Sequence, residues 1–216
     1  MPPAADLPMR ESDLTAHARI RNAALEGFAR RGVAATSIRE VAAAAGVSPG
    51  LVQHHFGTKE GLRRAVNEYV VAVAVAAFAN LVSEDSQEAW TAMGNTVTAW
   101  VAENRTALRY LARGLSEGDE DASRILESLL RIAEQKWLDP LATAGALRPE
   151  VDRDWAALHV FLFNLACVLF EPALDRHLAD AFFSAGQLAR WNVATTDLYR
   201  QALMRPAHDG PDSTER

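Results

Sequence analysis

The nine residues SPGLVQHHF, Ser48 to Phe56, have the residue types of a short helix made to meet phosphates and base edges. Ser48 can cap the helix and Pro49 fits its first position, where a missing N–H costs nothing. Val52 and Phe56 fall on one face, while Ser48, Pro49, Gly50, Gln53 and His54 fall on the other. Gly50 removes a side chain where a backbone would approach a ligand closely. A glutamine such as Gln53 can donate to and accept from an adenine edge at once. The uncapped N–H groups of a helix start form an anion site. A slim, outwardly polar helix of this kind enters a groove about 12 Å wide.

Such a helix needs neighbours to hold it. Upstream, Ile38 to Ala45 reads as another short helix, with Thr36-Ser37 as N-cap, Ile38, Val41, Ala42 and Ala45 inward, and Gly46 as its stop. Before it, Thr15 to Arg31 carries Ile20, Ala24 and Phe28 at helical spacing and stops at Gly32. After Gly57, Thr58 caps a fourth helix running to about Leu81. Two short helices joined by a tight glycine turn, with a third packed across them, make a helix-turn-helix.

The stretch TSIREVAAAAGVSPGLVQHHFGTKEGLRRAV resembles the N-terminal domain of the TetR/AcrR family of transcriptional regulators, and the resemblance runs over residues 15–66. It implies that Ser37 caps the first short helix and touches phosphate, and that Arg39 reaches a base or phosphate. It places Ser48 on phosphate, Pro49, Gly50, Leu51 and Gln53 at base-facing positions, and His54 and His55 where the family has an aromatic followed by His. Lys59 is assigned to the DNA backbone. The departure is Gln53-His54, where Tyr-Tyr or Tyr-Trp is commoner. The family also implies a homodimer on a palindromic stretch of double-stranded DNA, with recognition helices about 34–36 Å apart. Repression relieved by a small hydrophobic effector is the expected function. An activator, or a regulator without a ligand, fits the same DNA domain, and a helical adaptor that binds no DNA is a further alternative.

The rest of the chain reads as an all-α body, with helices at Ser86–Glu103, Thr106–Leu115, Asp121–Leu138, Asp152–Asp175 and Ala181–Met204. Asp139-Pro140 is expected to break or kink the third of these, and Gly145–Pro149 to form a loop. The expected organisation is a tail at 1–13, a DNA-binding domain at 14–60, a ligand-binding and dimerisation domain at 61–204, and a tail at 205–216. The last two helices carry apolar faces (Trp155, Leu158, Leu162, Leu165 and Leu169; Leu188, Trp191, Val193, Thr195 and Leu198) that a second subunit would cover as a four-helix bundle. Asn164 and Glu171 interrupt an apolar run; they could bond neighbouring helices, cross a dimer seam or line a pocket. Trp90, Trp100, Trp137 and Trp155 read first as core and second as pocket lining. The family's cavity among the middle helices makes Trp100 and Trp137 the pocket candidates beside Asn164 and Glu171.

Composition supports this division. The net charge of −6 is unevenly placed: residues 1–64 balance at +3 and the remainder at −9, which sets a basic module beside an acidic body. The single cysteine, Cys167, allows no internal disulfide and no zinc set, so it reads as a small buried hydrophobe in a reducing compartment. Adjacent His54 and His55 diverge by about 100° and cannot share an ion. No nucleophile set, phosphate loop or metal spacing appears, so neither enzyme activity nor a cofactor is expected. The N-terminus lacks a signal-peptide pattern, and the apolar run Ala156–Phe170 is shorter than the roughly 20 residues of a membrane span. A cytoplasmic, nucleoid-associated protein is the expectation.

Overall fold

The computed structural model describes residues 16–79 and 87–205, and the two expected tails lie outside these apart from Arg205. Among the described residues there is no strand, only one isolated bridge between Leu147 and Met204. Eleven α-helices are described: α1 Ala16–Arg31, α2 Ile38–Ala45, α3 Pro49–Phe56, α4 Lys59–Phe78, α5 Gln87–Glu103, α6 Arg105–Ser116, α7 Glu120–Ala133, α8 Asp139–Thr143, α9 Arg153–Leu169, α10 Glu171–His177 and α11 Ala185–Leu203.

Two compact units result. The first takes α1, α2, α3, α4 as far as Val73, and residues 105–126, which bring in α6 and the start of α7. Its core is Ile20, Ala24 and Phe28 of α1, Val41 of α2, Val52 of α3, Leu62, Val66 and Val70 of α4, and Leu108 and Leu111 of α6. These recur at three- and four-residue spacing, so each helix turns one stripe inward. The α1–α2 junction is unusually close. A methyl group at Gly27 would stand 2.8 Å from Thr36 Cγ2, and Thr36 is itself buried with its hydroxyl donating to Gly32 O at 2.9 Å.

The second unit, residues 74–104 and 127 onward, holds α5, the end of α7, and α8 to α11. Trp90, Trp137, Leu138, Leu141, Leu147 and Ala156 are in its core. Asp139-Pro140, where a break or kink is expected, follows a π-helical segment, Glu134–Leu138, that interrupts the α-helix, and α8 continues directly from it. The wider turn, closed by Asp139 N–H to Glu134 O, relieves the clash that a proline ring makes with a carbonyl one α-turn earlier. The helix expected over Asp152–Asp175 is two, α9 and α10, bent by 74°. Pro172 in the first turn of α10 supplies the break, since it can neither donate nor clear the preceding turn. The last helix begins at Ala185, capped by Ser184, rather than at Ala181. Arg205, expected to open the tail, is held: its backbone N–H donates to Ala146 O and its Nε to Leu147 O.

No single described helix is long and apolar enough to cross a membrane; α9 and α10 reach that length and composition only as the bent pair.

Replacing Gly27 by alanine forces Thr36 aside. The expected loss is about 1–3 kcal/mol of stability, read as a lower midpoint in chemical denaturation; an unchanged midpoint would show that the α1–α2 contact yields freely.

Candidate nucleic-acid interface and apolar cavity

The geometry of α3 is set from both ends. Ser37 caps α2 in a full capping box: its hydroxyl accepts from Glu40 N–H, and Glu40 Oε2 accepts from Ser37 N–H at 2.7 Å. The Ser37 N–H bond, the Ser37 hydroxyl donating to the same Oε2 at 2.8 Å, and the Arg31 guanidinium 3.3 Å away hold the Glu40 carboxyl below its ordinary range. At the other end, Gly46 adopts the left-handed conformation at φ 67°, which an L side chain resists. Val47 N–H then reaches Ala42 O at 3.0 Å and Gly46 N–H reaches Ala43 O at 3.2 Å, so the turn's own amides satisfy the helix end. Ser48 Oγ accepts from Leu51 N–H at 3.2 Å and starts α3 two residues after Gly46.

Val52 is the one fully buried residue of α3. Ser48, Pro49, Gly50, Gln53, His54 and His55 are exposed, and Leu51 is half-buried. Nothing inside the fold demands a glycine at 50, because an added Cβ would meet only Ser48 Oγ, at 3.9 Å. Ser37 and Arg39 are exposed on α2. Lys59, half-buried, donates to Ala34 O at 3.0 Å and ties the start of α4 to the loop before α2. His17 was not foreseen: its ring lies 4.4 Å from that of Phe56 and 5.8 Å from that of His55. Among the described residues no group of three or more metal-ligating side chains stands together.

Ion pairs within the first unit brace this surface. Arg113 donates to Ala29 O and Arg30 O, satisfying the carbonyl end of α1. Arg63 binds both oxygens of Asp119, at 2.5 and 2.6 Å, and Asp121 at 3.0 Å. Tyr110 donates to Asn67 at 2.6 Å. These partners lie 43 to 84 residues apart, so no local pattern announces them.

The second unit contains an apolar cavity of about 90 Å³ among α5, α7, α9, α11, the π-helical segment and the end of α4. Trp137 and Asn164 line it. Trp100 and Glu171 do not: Trp100 packs behind the wall, its ring 5.6 Å from that of the lining residue Phe78, and Glu171 opens α10 beyond the bend. Trp90, read first as core and second as pocket lining, also lines it, as do Met93, Trp191, Asn192 and Tyr199, which were not singled out as pocket residues from sequence. Their signal was there, since α5 and α11 each carry lining residues three and four apart (Trp90, Met93, Gly94, Val97; Asn192, Thr195, Thr196, Tyr199). That spacing cannot say whether a stripe faces core or cavity.

Residues 20–66 match the model of the tetR family of bacterial regulatory proteins. The chain is 38% identical over 144 residues to the HTH-type transcriptional regulatory protein RaaS of Mycobacterium tuberculosis, a match over 67% of this chain and 65% of that protein. The chain belongs to the tetR family. A solved tetR-family regulatory protein from Rhodococcus RHA1 is similar over 90% of this chain and all of its own, with 26% identity and a TM-score of 0.66. An HTH-type transcriptional repressor of Mycobacterium tuberculosis is 53% identical over 53 residues, 24% of this chain and 28% of the repressor. The chain thus matches less than two thirds of the length of these curated relatives. The tetR-family match encloses α2, the Gly46 turn and α3.

Ser37→Ala removes the hydroxyl bond to Glu40, and the Glu40 pKa should then rise toward the ordinary carboxylate value. Side-chain NMR titration reads the shift; an unmoved pKa would mean that the backbone amide and Arg31 alone hold the charge.

Proposed function

We propose that the protein is a homodimeric transcriptional repressor that binds palindromic double-stranded DNA through α3 and is released by a small hydrophobic ligand bound in the apolar cavity. The observation that carries this reading is the exposed, doubly capped α3. It offers polar side chains from Ser48 to His55 on a helix whose glycine has no internal reason to be one. Gln53 is the base reader, with Pro49, Gly50 and Leu51 beside it. Ser37, Arg39, Ser48, His54, His55 and Lys59 hold phosphates. The name of the curated repressor favours repression over activation.

The homodimer reading is supported by α9. Trp155, Leu162 and Leu169 repeat every seven residues and are each at least half exposed, with Phe163 and Phe170 also open, as are Val193 and Leu198 of α11. A stripe of that size is what a second copy covers. The ligand reading is supported by the cavity and by chain continuity. Helix α4 begins directly after α3 and ends at Phe78, a lining residue. A ligand must prefer the DNA-free form by about 5.5 kcal/mol to turn a 99:1 occupancy into 1:99.

Selection from random DNA should yield a palindrome, and effector candidates are scored by loss of that binding. Against the selected site, Gln53→Ala should relax base preference, at a cost of about 1–3 kcal/mol at its own position. Lys59→Ala should weaken all sequences alike and lower the salt slope by about one. Unchanged binding in both variants rules out this docking. Leu162→Glu should convert the dimer to monomer in analytical ultracentrifugation; a dimer that survives places the seam elsewhere.

A further inference from the structure

Three of the chain's six histidines meet on the surface that α3 exposes. His54 and His55 lie in the last turn of α3, and His17 comes from the first turn of α1. All three are exposed. The rings of His54 and His55 stand 5.5 Å apart between centroids, and those of His55 and His17 stand 5.8 Å apart. His17 packs on Phe56, at 4.4 Å. The three imidazoles therefore form one patch that continues from Gln53. Histidine is the side chain whose charge changes between about pH 5 and 8. The same patch is neutral at one end of that range and strongly positive at the other.

The surroundings offer the charged patch little support. Helices α3 and α6 contain no aspartate or glutamate. Of the carboxylates on the other elements packed here, Glu26 of α1 accepts from Thr106, Glu40 of α2 is taken by Ser37 and Arg31, and Glu60 of α4 stands 3.8 Å from Arg63. Glu68, further along α4, precedes Tyr69, whose ring already faces Arg21 at 3.6 Å. The cations outnumber them. Helix α1 carries four arginines, α2 has Arg39, the first turns of α4 have Lys59, Arg63 and Arg64, and α6 has three arginines. Charged imidazoles this close also repel one another. The α3 dipole favours a positive charge at His54 and His55, whereas the start of α1 opposes one at His17. The patch lacks an anion, and a DNA phosphate beside α3 would supply it.

We propose that DNA binding by this protein is coupled to proton uptake: His17 joins His54 and His55 as a third phosphate-binding imidazole, and the patch becomes charged as the DNA backbone docks. This rests on the reading of α3 as the DNA-binding helix, and adds to it a contact from α1 and a dependence on pH. The sign follows from linkage. A proton held more tightly in the complex than in the free protein makes binding strongest at low pH, and the gain fades as pH rises through the titration of the complex.

The test is fluorescence anisotropy of the full chain with two rhodamine-labelled duplexes, one carrying the selected palindrome and one of scrambled sequence, in EDTA at constant ionic strength. Lowering the pH from about 8 to about 6 should tighten both complexes about tenfold or more, since a one-unit change in the hold on one proton is worth a factor of ten. Both duplexes should respond, because phosphate contacts carry no sequence information. His17→Gln replaces a neutral ring by a neutral amide, so affinity at the higher pH should stay within about twofold while the gain shrinks by about three- to tenfold. His17→Arg, charged throughout, should bind more tightly than wild type at the higher pH and show the same reduced gain. His177→Gln, on α10, should leave the gain whole. Calorimetry in two buffers of different ionisation enthalpy should find protons taken up on binding, and fewer of them with His17→Gln. The wild-type pH profile and proton count decide the coupling even where a variant melts early. The proposal is overturned by equal affinity at both pH values, by binding without proton uptake, or by a full gain in His17→Gln. Any of these leaves the DNA-binding reading intact, whereas failure to bind either duplex at any pH removes both.

Discussion

A helix of eight residues is marginal in water, because nucleating a turn fixes more dihedrals than the first hydrogen bonds repay. Helix α3, Pro49 to Phe56, is such a helix, and it buries only Val52 fully. Its persistence and aim therefore come from outside it. Gly46 closes α2 in a left-handed turn, Ser48 opens α3 at once, and Gly57 ends it. Gly61 lets α4 begin against the last turn of α3, since a Cβ there would collide with Phe56 O. The first unit is a frame for this one helix. Its core holds α1, α2 and α4 in place, and Arg113 and Arg63 brace the frame from α6 and α4.

The second unit meets a different constraint. It must pack six helical segments around a space, and a space costs packing contacts. The wall is made of aromatic side chains, which cover the most area per residue. Tryptophan also brings an N–H, and those of Trp90, Trp100, Trp137 and Trp191 are all buried in this unit. Close approach on the α5–α11 wall depends on Gly94, whose missing Cβ makes room for Asn192 and Thr196. The π-helical segment does comparable work before Pro140: it widens the backbone so that the helical path continues and Trp137 lines the cavity.

Much of the first unit was legible in the chain because its signals are local. Caps, glycine stops and short apolar periods act within four residues, so Ser37, Gly46, Ser48 and Gly57 marked the ends of α2 and α3 within the expected boundaries. Signals of the same kind misled further on. Pro140 read as a break or kink, but a π turn has no sequence mark, whereas Pro172, inside an apolar run read as one helix, was the break. Of the four pocket candidates, Trp137 and Asn164 reach the cavity and Trp100 and Glu171 do not.

The sequence by itself determined an all-α chain, a helix-turn-helix at its start and the residues that α3 exposes. These follow from periodicity and capping, which are short-range physics. Only the tertiary structure decided that α6 packs with α1, that Arg63 meets Asp119, and which faces of α5, α9 and α11 turn toward a cavity rather than a core. An apolar stripe looks the same from sequence whether it meets another helix, a partner or a ligand. The choice is made by contacts between residues far apart in the chain, whose closure no local pattern encodes.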